Sequence, residues 1–89
     1  LDEAKLDHEI AVFPNPTSGE TTFELSGYVG SQATLEIYDV MGRKWLGERM
    51  QSSSHFAESH VSLGHLPSGT YMARIVTGEQ VYTKKFIKQ

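Results

Sequence analysis

The sequence contains no cysteine, and none of its apolar runs comes near the ~20 residues that a membrane-spanning helix requires. Without cysteine, the chain has no disulfide and no thiolate metal site, although this absence does not identify the compartment. Positive charge is also scarce, because the chain has eight Lys and Arg residues against eleven Asp and Glu residues, which gives a net charge of −3. A phosphate-binding surface needs clustered positive charge, so we expect no nucleic-acid partner, and we expect no membrane insertion by the domain itself.

The length of 89 residues is enough for one domain with a modest core. Hydrophobic residues make up 38% of the chain and aromatic residues 10%, which is too rich for a disordered tail. The first residue is leucine, and residues 1–9 lack the basic start and apolar run of a signal peptide. We therefore expect residues 1–9 to be a flexible linker from a covalently attached upstream protein that carries any export signal, and residues 10–89 to form the domain.

Alternation of apolar and polar residues dominates the chain, and no stretch shows the i, i+3, i+4, i+7 spacing of an amphipathic helix. Turn residues separate the alternating segments, as in antiparallel β proteins. The pattern predicts an all-β fold, an immunoglobulin-like antiparallel β-sandwich of about seven strands. The predicted strands are residues 10–13, 20–25, 33–39, 44–50, 57–63, 70–77 and 80–87.

The connections between these strands carry their own predictions. Residues 14–19 contain two prolines, Asn, Thr, Ser and Gly, and predict a rigid turn. Gly42 is expected in a left-handed conformation within a hairpin turn, and Gly47 at a β-bulge. Between the fourth and fifth strands, the polar, Ser-rich residues 51–56 predict a mobile loop.

Four histidines are the first candidates for a metal or catalytic site. His55, His60 and His65 are spaced five residues apart, and an odd spacing puts side chains on opposite faces of a strand. Glu58 and His60 share a face, but two ligands fall short of a closed zinc site. The serines of residues 52–54 lie beside His55 without the third group that orients a nucleophilic pair. We predict that the domain is not an enzyme and holds no cofactor or metal.

The aromatic residues allow two interpretations. A domain with so small a core needs several aromatic side chains simply to fold. They could also form a platform for a sugar, which would make the chain a carbohydrate-binding or adhesive module. The residues concerned are Trp45, Tyr28, Tyr38, Tyr71 and Tyr82, of which the alternation predicts Tyr38 to face outward.

The lysines near the end of the chain also allow two interpretations. Lys84, Lys85 and Lys88 lie in and beside the last predicted strand. On an edge strand, they would discourage pairing with other chains. An exposed strand edge with added charge also suits recognition by a partner that contributes another strand.

Four motifs follow one another along the chain. Residues 12–19 read VFPNPTSG, residues 33–44 read ATLEIYDVMGRK, residues 66–75 read LPSGTYMARI, and residues 84–88 read KKFIK. In this order, the motifs resemble the C-terminal sorting domain of proteins exported by the bacterial type IX secretion system. The resemblance extends over residues 12–88 and therefore covers nearly the whole chain.

The resemblance implies a seven-stranded immunoglobulin-like sandwich that the type IX outer-membrane translocon recognises after its cargo has reached the periplasm. A sortase-like peptidase then removes the domain, with a cut in the linker that residues 1–9 match, and the cargo ends at the outer membrane and cell surface or is secreted. The implied sorting-motif residues are Pro14, Asn15, Pro16, Thr17, Gly19, Tyr38, Asp39, Gly42, Arg43, Leu66, Gly69, Tyr71, Lys84, Lys85, Phe86 and Lys88. For the three glycines among them, we expect a conformational role.

Overall fold

The computed structural model describes residues 10–26, 32–53, 56–78 and 80–89. The predicted linker 1–9 and Glu79 of the last predicted turn lie outside the described residues. The strands are β1 (Ile10–Phe13), β2 (Glu20–Ser26), β3 (Ala33–Asp39), β4 (Lys44–Arg49), β5 (Gln51–Ser53), β6 (Phe56–Ser62), β7 (Gly69–Thr77) and β8 (Val81–Lys88). Within these ranges there is no helix long and apolar enough to cross a membrane.

The strands form two antiparallel four-stranded sheets, which we call the front sheet and the back sheet. The front sheet has the order β4-β3-β7-β8 and the back sheet the order β1-β2-β6-β5. In an immunoglobulin-like sandwich, the first, second, fifth and fourth main strands form one sheet, and the third, sixth and seventh form the other. This is the order found here, with β4 as an added edge strand, so the predicted sandwich is confirmed.

The core lies between the two sheets and is built from the alternate residues of each strand. Phe23 and Leu25 of β2 face Leu35 and Ile37 of β3, and all four side chains are fully buried. Each such side chain stabilises the fold by about 1.5–3 kcal/mol through removal of its apolar surface from water. The period-two alternation in the sequence therefore predicts the buried face of these strands correctly.

A buried tyrosine fixes the connection between the two sheets. Tyr71 lies near the start of β7, and its hydroxyl donates a 2.6 Å hydrogen bond to the carbonyl oxygen of Pro67, four residues upstream in the turn before that strand. Gly69 lies between them with φ of 156°, a conformation that L-residues rarely adopt. This arrangement is the tyrosine corner of immunoglobulin-like sandwiches, which the sequence reasoning missed although its residues follow one another in the third motif.

The expectation of a mobile loop at residues 51–56 is wrong for the residues that the structure describes. Gln51–Ser53 is strand β5, which pairs with β6 at the edge of the back sheet, and Phe56 already belongs to β6. Ser54 and His55 lie outside the described residues. A three-residue edge strand needs no apolar alternation because it buries little, which is why a polar Ser-rich segment forms one.

The predicted bulge at Gly47 is also wrong. Gly47 pairs regularly with Glu36, whereas the register shifts where Ile37 pairs with Leu46 and Tyr38 pairs with Lys44. Trp45 is therefore the extra residue of the bulge. As a consequence, Trp45 and Leu46 both pack against the core, although neighbours in a regular strand would point to opposite faces.

Candidate functional site

The four sequence motifs meet at one end of the front sheet. Asp39 in β3, Tyr71 in β7 and Phe86 in β8 are register partners in one row across three strands. Tyr38 and Lys85 flank Met72 in the adjacent row, on the outer face of the sheet. Asp39 and Phe86, which are 47 positions apart in sequence, thus lie in the same row of the sheet. We call this end of the front sheet, with the turns attached to it, the motif end.

The first motif joins the motif end through the last strand. Thr17 forms a parallel bridge with Lys88, and Lys88 pairs on its other side with Gly69. The Thr17 amide donates to the Ile87 oxygen at 2.9 Å, and the Gln89 amide donates to the Thr17 oxygen at 2.8 Å. A turn that follows β1 of the back sheet is therefore hydrogen-bonded to the end of β8.

Side chains of the first motif strengthen this junction. The Asn15 Oδ1 accepts a hydrogen bond from the Ile87 amide at 3.1 Å. The Thr21 hydroxyl donates to the Gly19 oxygen at 2.8 Å, so in the 2.6 Å contact between the two hydroxyls Thr17 is the donor. Both threonines are buried, and each hydroxyl is satisfied, which removes the free-energy cost of burying a polar group. The turn is held by side-chain chemistry in addition to its two prolines.

The second motif ends in a tight hairpin between β3 and β4. The Gly42 amide donates to the Asp39 oxygen, and the Asp39 amide donates to the Arg43 oxygen, both at 3.0 Å. Gly42 has φ of 89°, which confirms the predicted left-handed glycine and matches a three-residue hairpin loop. The Asp39 carboxylate accepts from the amides of Met41 and Arg43 and from the Trp45 indole, at 2.9–3.0 Å.

These bonds change the acid–base behaviour of Asp39. The indole of Trp45, followed by the Arg43 amide, holds the pKa of the Asp39 carboxyl below its ordinary value of 3.8, because both donate to the ionised form. The pKa of the Tyr71 hydroxyl is raised, first by burial and then by the nearby Asp39 charge. Asp39 therefore stabilises the hairpin in its ionised form.

Asp39→Asn should test this electrostatic role through pH. Because the folded-state pKa is lowered, the stabilisation is present above the ordinary pKa and is lost as the pH falls through the folded-state value. An amide at this position would also direct an N–H group toward the Trp45 indole N–H. We expect urea unfolding at pH 7 to show the variant as less stable, with a gap that narrows at pH 3. A gap of the same size at both pH values would contradict this role.

A series of aromatic contacts connects the hairpin to the core. The Arg43 guanidinium lies 4.4 Å above the Trp45 ring, and Trp45 meets Tyr71 edge-on with 6.5 Å between ring centroids. Tyr71 stacks on Phe86 at 5.8 Å, and Phe86 meets Phe23 of the back sheet edge-on at 5.4 Å. Aromatic pairs of this kind are worth about 0.5–1.5 kcal/mol beyond their buried area. Three of the motifs are thus packed into one continuous unit.

Burial divides the predicted motif residues into two groups. Thr17, Leu66, Tyr71, Phe86 and Lys88 are buried, so a partner of the folded domain can reach little of their side chains. The Lys88 ammonium donates to the Gln89 main-chain oxygen at 2.8 Å instead of facing a partner. Gly19, Tyr38 and Asp39 are half-buried. The exposed group is Pro14, Asn15, Pro16, Gly42, Arg43, Gly69, Lys84 and Lys85.

An open groove of about 470 Å³ lies on the outer face of the front sheet, beside the hairpin. Its lining includes Tyr38, Asp39, Gly42, Tyr71 and Lys85, which come from three of the four motifs. Val40 and Met41 at the hairpin tip beside it are 75% and 87% exposed. The exposed part of the motif end therefore combines apolar surface with a lysine.

Charge is divided unequally between the two sheets. The strands of the back sheet contain Glu20, Glu24 and Glu58 but no Lys or Arg. Glu36 in the middle of the front sheet forms ion pairs of 3.7 Å with Lys44 and Arg74. Every Lys and Arg among the described residues lies on the front sheet or its hairpin, namely Arg43, Lys44, Arg49, Arg74, Lys84, Lys85 and Lys88.

The alternative sites gain no support from the geometry. His60 and His65 are exposed, and the described residues contain no group of three potential metal ligands. Glu58 and His60 do share a face, with 3.6 Å between Glu58 Oε2 and His60 Nε2. The aromatic residues do not form an open platform for a sugar, because Tyr71 is buried and Trp45 and Tyr82 pack against the core. Tyr28 lies outside the described residues. Tyr38 lines the groove, but its hydroxyl donates a 3.0 Å hydrogen bond to Glu36 Oε1.

Fold and geometry together define the class of protein: an immunoglobulin-like β-sandwich domain whose distinctive residues are gathered at one end. A sequence comparison across protein families matches residues 11–89 to the secretion system C-terminal sorting domain. Karilysin from Tannerella forsythia is 33% identical over 84 residues, an alignment that covers 85% of this chain and 17% of Karilysin. The chain therefore spans about a sixth of this relative's length.

The chain belongs to the family of secretion system C-terminal sorting domains, the sorting signals of type IX secretion cargo. The sorting domain is not itself catalytic, and it directs export across the outer membrane to the cell surface or the medium through the secretion machinery. Among solved structures, a conjugative transposon lipoprotein from Bacteroides eggerthii is similar over 91% of this chain and 95% of its own, with 10% identity and a TM-score of 0.45. At that TM-score the likeness says nothing about function.

Proposed function

We propose that the motif end is the surface through which the type IX outer-membrane translocon recognises this domain. The observation that carries the proposal is the convergence of four sequence-distant motifs on one end of one sheet. Their buried members hold the strands in register, and their exposed members surround the groove and the end of β8. In this arrangement recognition needs the folded sandwich, because no single motif contains the surface.

The proposal also covers the attachment of the cargo, its route to the translocon and the removal of the domain. The cargo is attached upstream and passes through the periplasm before the domain meets the translocon. Residues 1–9 act as the linker in which a sortase-like peptidase cuts at the cell surface. A cut at that place fits a segment that precedes β1 and shows no strand pattern in its sequence.

Deletion of residues 82–89 should abolish delivery of an attached cargo. The deletion removes nearly all of β8, and with it Phe86 from the core and the bonds that tie Thr17 to the last strand. The measurement is the share of a fused reporter that an external protease can reach in cells with a type IX system. We expect the deleted fusion to accumulate in the periplasm, whereas His60→Ala on the exposed face of the back sheet should be delivered like the parent. Normal surface delivery of the deleted fusion would contradict the proposal.

A further inference from the structure

One long strand edge of the sandwich is open. β8 is the outer strand of the front sheet, and the Thr17 bridge covers it at Lys88. The Ile87 amide and oxygen and the Gln89 amide point away from β7, toward the first motif. Since main-chain groups alternate along a strand, the amides and oxygens of Val81, Thr83 and Lys85 point the same way. No strand of the described residues pairs with them.

The other three sheet edges offer much less. β1 has four residues, and β5 has three. β4 is longer, but the bulge at Trp45 interrupts its register. Short strands and bulges are the usual protection of sheet edges, whereas β8 runs for eight residues in unbroken register with β7. The open part of β8 is therefore the best template for another strand.

We propose that residues 81–85 bind an extended, acidic segment of a partner protein as a ninth strand of the sandwich. This inference rests on the proposed function and specifies how the partner is held. Main-chain bonds from Val81, Thr83 and Lys85 to the added strand supply affinity without regard to sequence. Side chains of the added strand then determine which segment is accepted.

Charge determines the chemistry of that segment. Lys84 and Lys85 lie on opposite faces of β8, both exposed, and neither forms an ion pair with a described residue. An added strand has alternate side chains on both faces, so acidic residues at neighbouring positions would meet both lysines. A second copy of this chain is a poor occupant, because pairing β8 with β8 would bring four lysines into one short ladder.

The groove adds a place for an apolar side chain. Met72, Thr83 and Lys85 line it on the outer face, so it opens beside the edge where the new strand would lie. A residue of the added strand that faces outward next to Thr83 is therefore directed to the groove. The preferred segment combines acidic residues with an apolar residue among them.

Thr83→Pro is the most selective test of the edge. Proline lacks an amide hydrogen, and the hydrogen lost at Thr83 points to solvent, so the bonds between β7 and β8 stay intact. Thr83→Ala is the matched control, since it keeps the amide. In the reporter fusion described above, we expect Thr83→Pro to reduce surface delivery about tenfold or more, while Thr83→Ala stays within about twofold of the parent.

Charge reversal provides an independent arm. The double variant Lys84→Glu, Lys85→Glu should reduce surface delivery about tenfold, and the double variant Lys84→Arg, Lys85→Arg should keep it.

Urea unfolding of each purified chain shows whether the sandwich is folded, and the glutamate pair serves as the test if Thr83→Pro does not fold. Parent-like delivery by a folded Thr83→Pro variant or by the glutamate pair would overturn the inference. So would a dimer of the parent chain that Thr83→Pro dissociates. These results leave the proposed function standing as long as deletion of residues 82–89 abolishes delivery.

Discussion

Replacement of Phe86 by alanine is expected to lower the free energy of unfolding by about 3–5 kcal/mol. The side chain is 1% exposed and contacts Tyr71 on one side and Phe23 of the other sheet on the other. Its removal takes away buried apolar surface and leaves a cavity that a two-sheet sandwich cannot easily close. Domains of this size have total stabilities of only ~5–15 kcal/mol, so the variant loses much of its margin.

Thermal and urea unfolding of the purified chain measure this effect directly. A loss of this size should lower the melting temperature by roughly 12 °C or more. Ile87→Ala is the matched control, because Ile87 is the next residue of the same strand and is 47% exposed. We expect Ile87→Ala to change stability by no more than about 0.5 kcal/mol. Equal losses for the two variants would show that β8 does not present Phe86 to the core.

The second large effect is expected at the hairpin of the motif end, for Gly42→Val. Gly42 has φ of 89°, which a β-branched residue adopts only under strain, at a cost of about 1–3 kcal/mol. A Cβ atom at this position would meet nothing within 4 Å, so the cost is conformational and not a clash. The strained loop should also displace Asp39 from the amides of Met41 and Arg43.

Gly64→Val separates this effect from the general consequence of adding a side chain to a turn. Gly64 also has open space around its Cβ position, but its φ is not positive. We expect urea unfolding to show Gly64→Val within about 0.5 kcal/mol of the parent. A Gly42→Val variant as stable as Gly64→Val would mean that the hairpin accepts another conformation.

The sequence is informative about strands and their faces because the alternation has a period of two residues. Phe23, Leu25, Leu35 and Ile37 are the apolar members of this alternation and are buried, and the left-handed Gly42 follows from the turn chemistry alone. The bulge is different, because it depends on which residue of β4 faces which residue of β3. At the bulge, Trp45 contacts Asp39 and Tyr71, which lie on two other strands. The alternation of apolar and polar residues along β4 does not indicate either contact.

The motif end shows the same limit more clearly. Each motif could be recognised along the chain, but their meeting depends on long-range pairings such as Thr17 with Lys88 and Asp39 with Tyr71. Lys88 illustrates the consequence: it belongs to a lysine-rich motif whose Lys84 and Lys85 are exposed, yet it lies on the same face as Phe86 and is buried. Only the three-dimensional register separates residues that hold the fold from residues that a partner can touch.

That separation gives the motifs two different tasks. The buried tyrosine, phenylalanine and threonine fix the positions of β7, β8 and the first turn. The exposed lysines, the hairpin tip and the groove then form a surface of defined shape. We propose that a sorting domain built in this way is read as a folded object, so that unfolding of the sandwich abolishes recognition.

The most direct test of this account is transfer of the whole chain to a protein that reaches the periplasm by its own signal peptide and is not normally carried across the outer membrane. The measurement is the share of that protein which an external protease can reach on intact cells with a type IX secretion system. We expect the attached chain to bring the protein to the cell surface or into the medium. The same chain carrying Phe86→Ala should leave the protein in the periplasm at temperatures where the variant is unfolded. Retention of the protein in the periplasm with the folded parent chain attached would contradict the account.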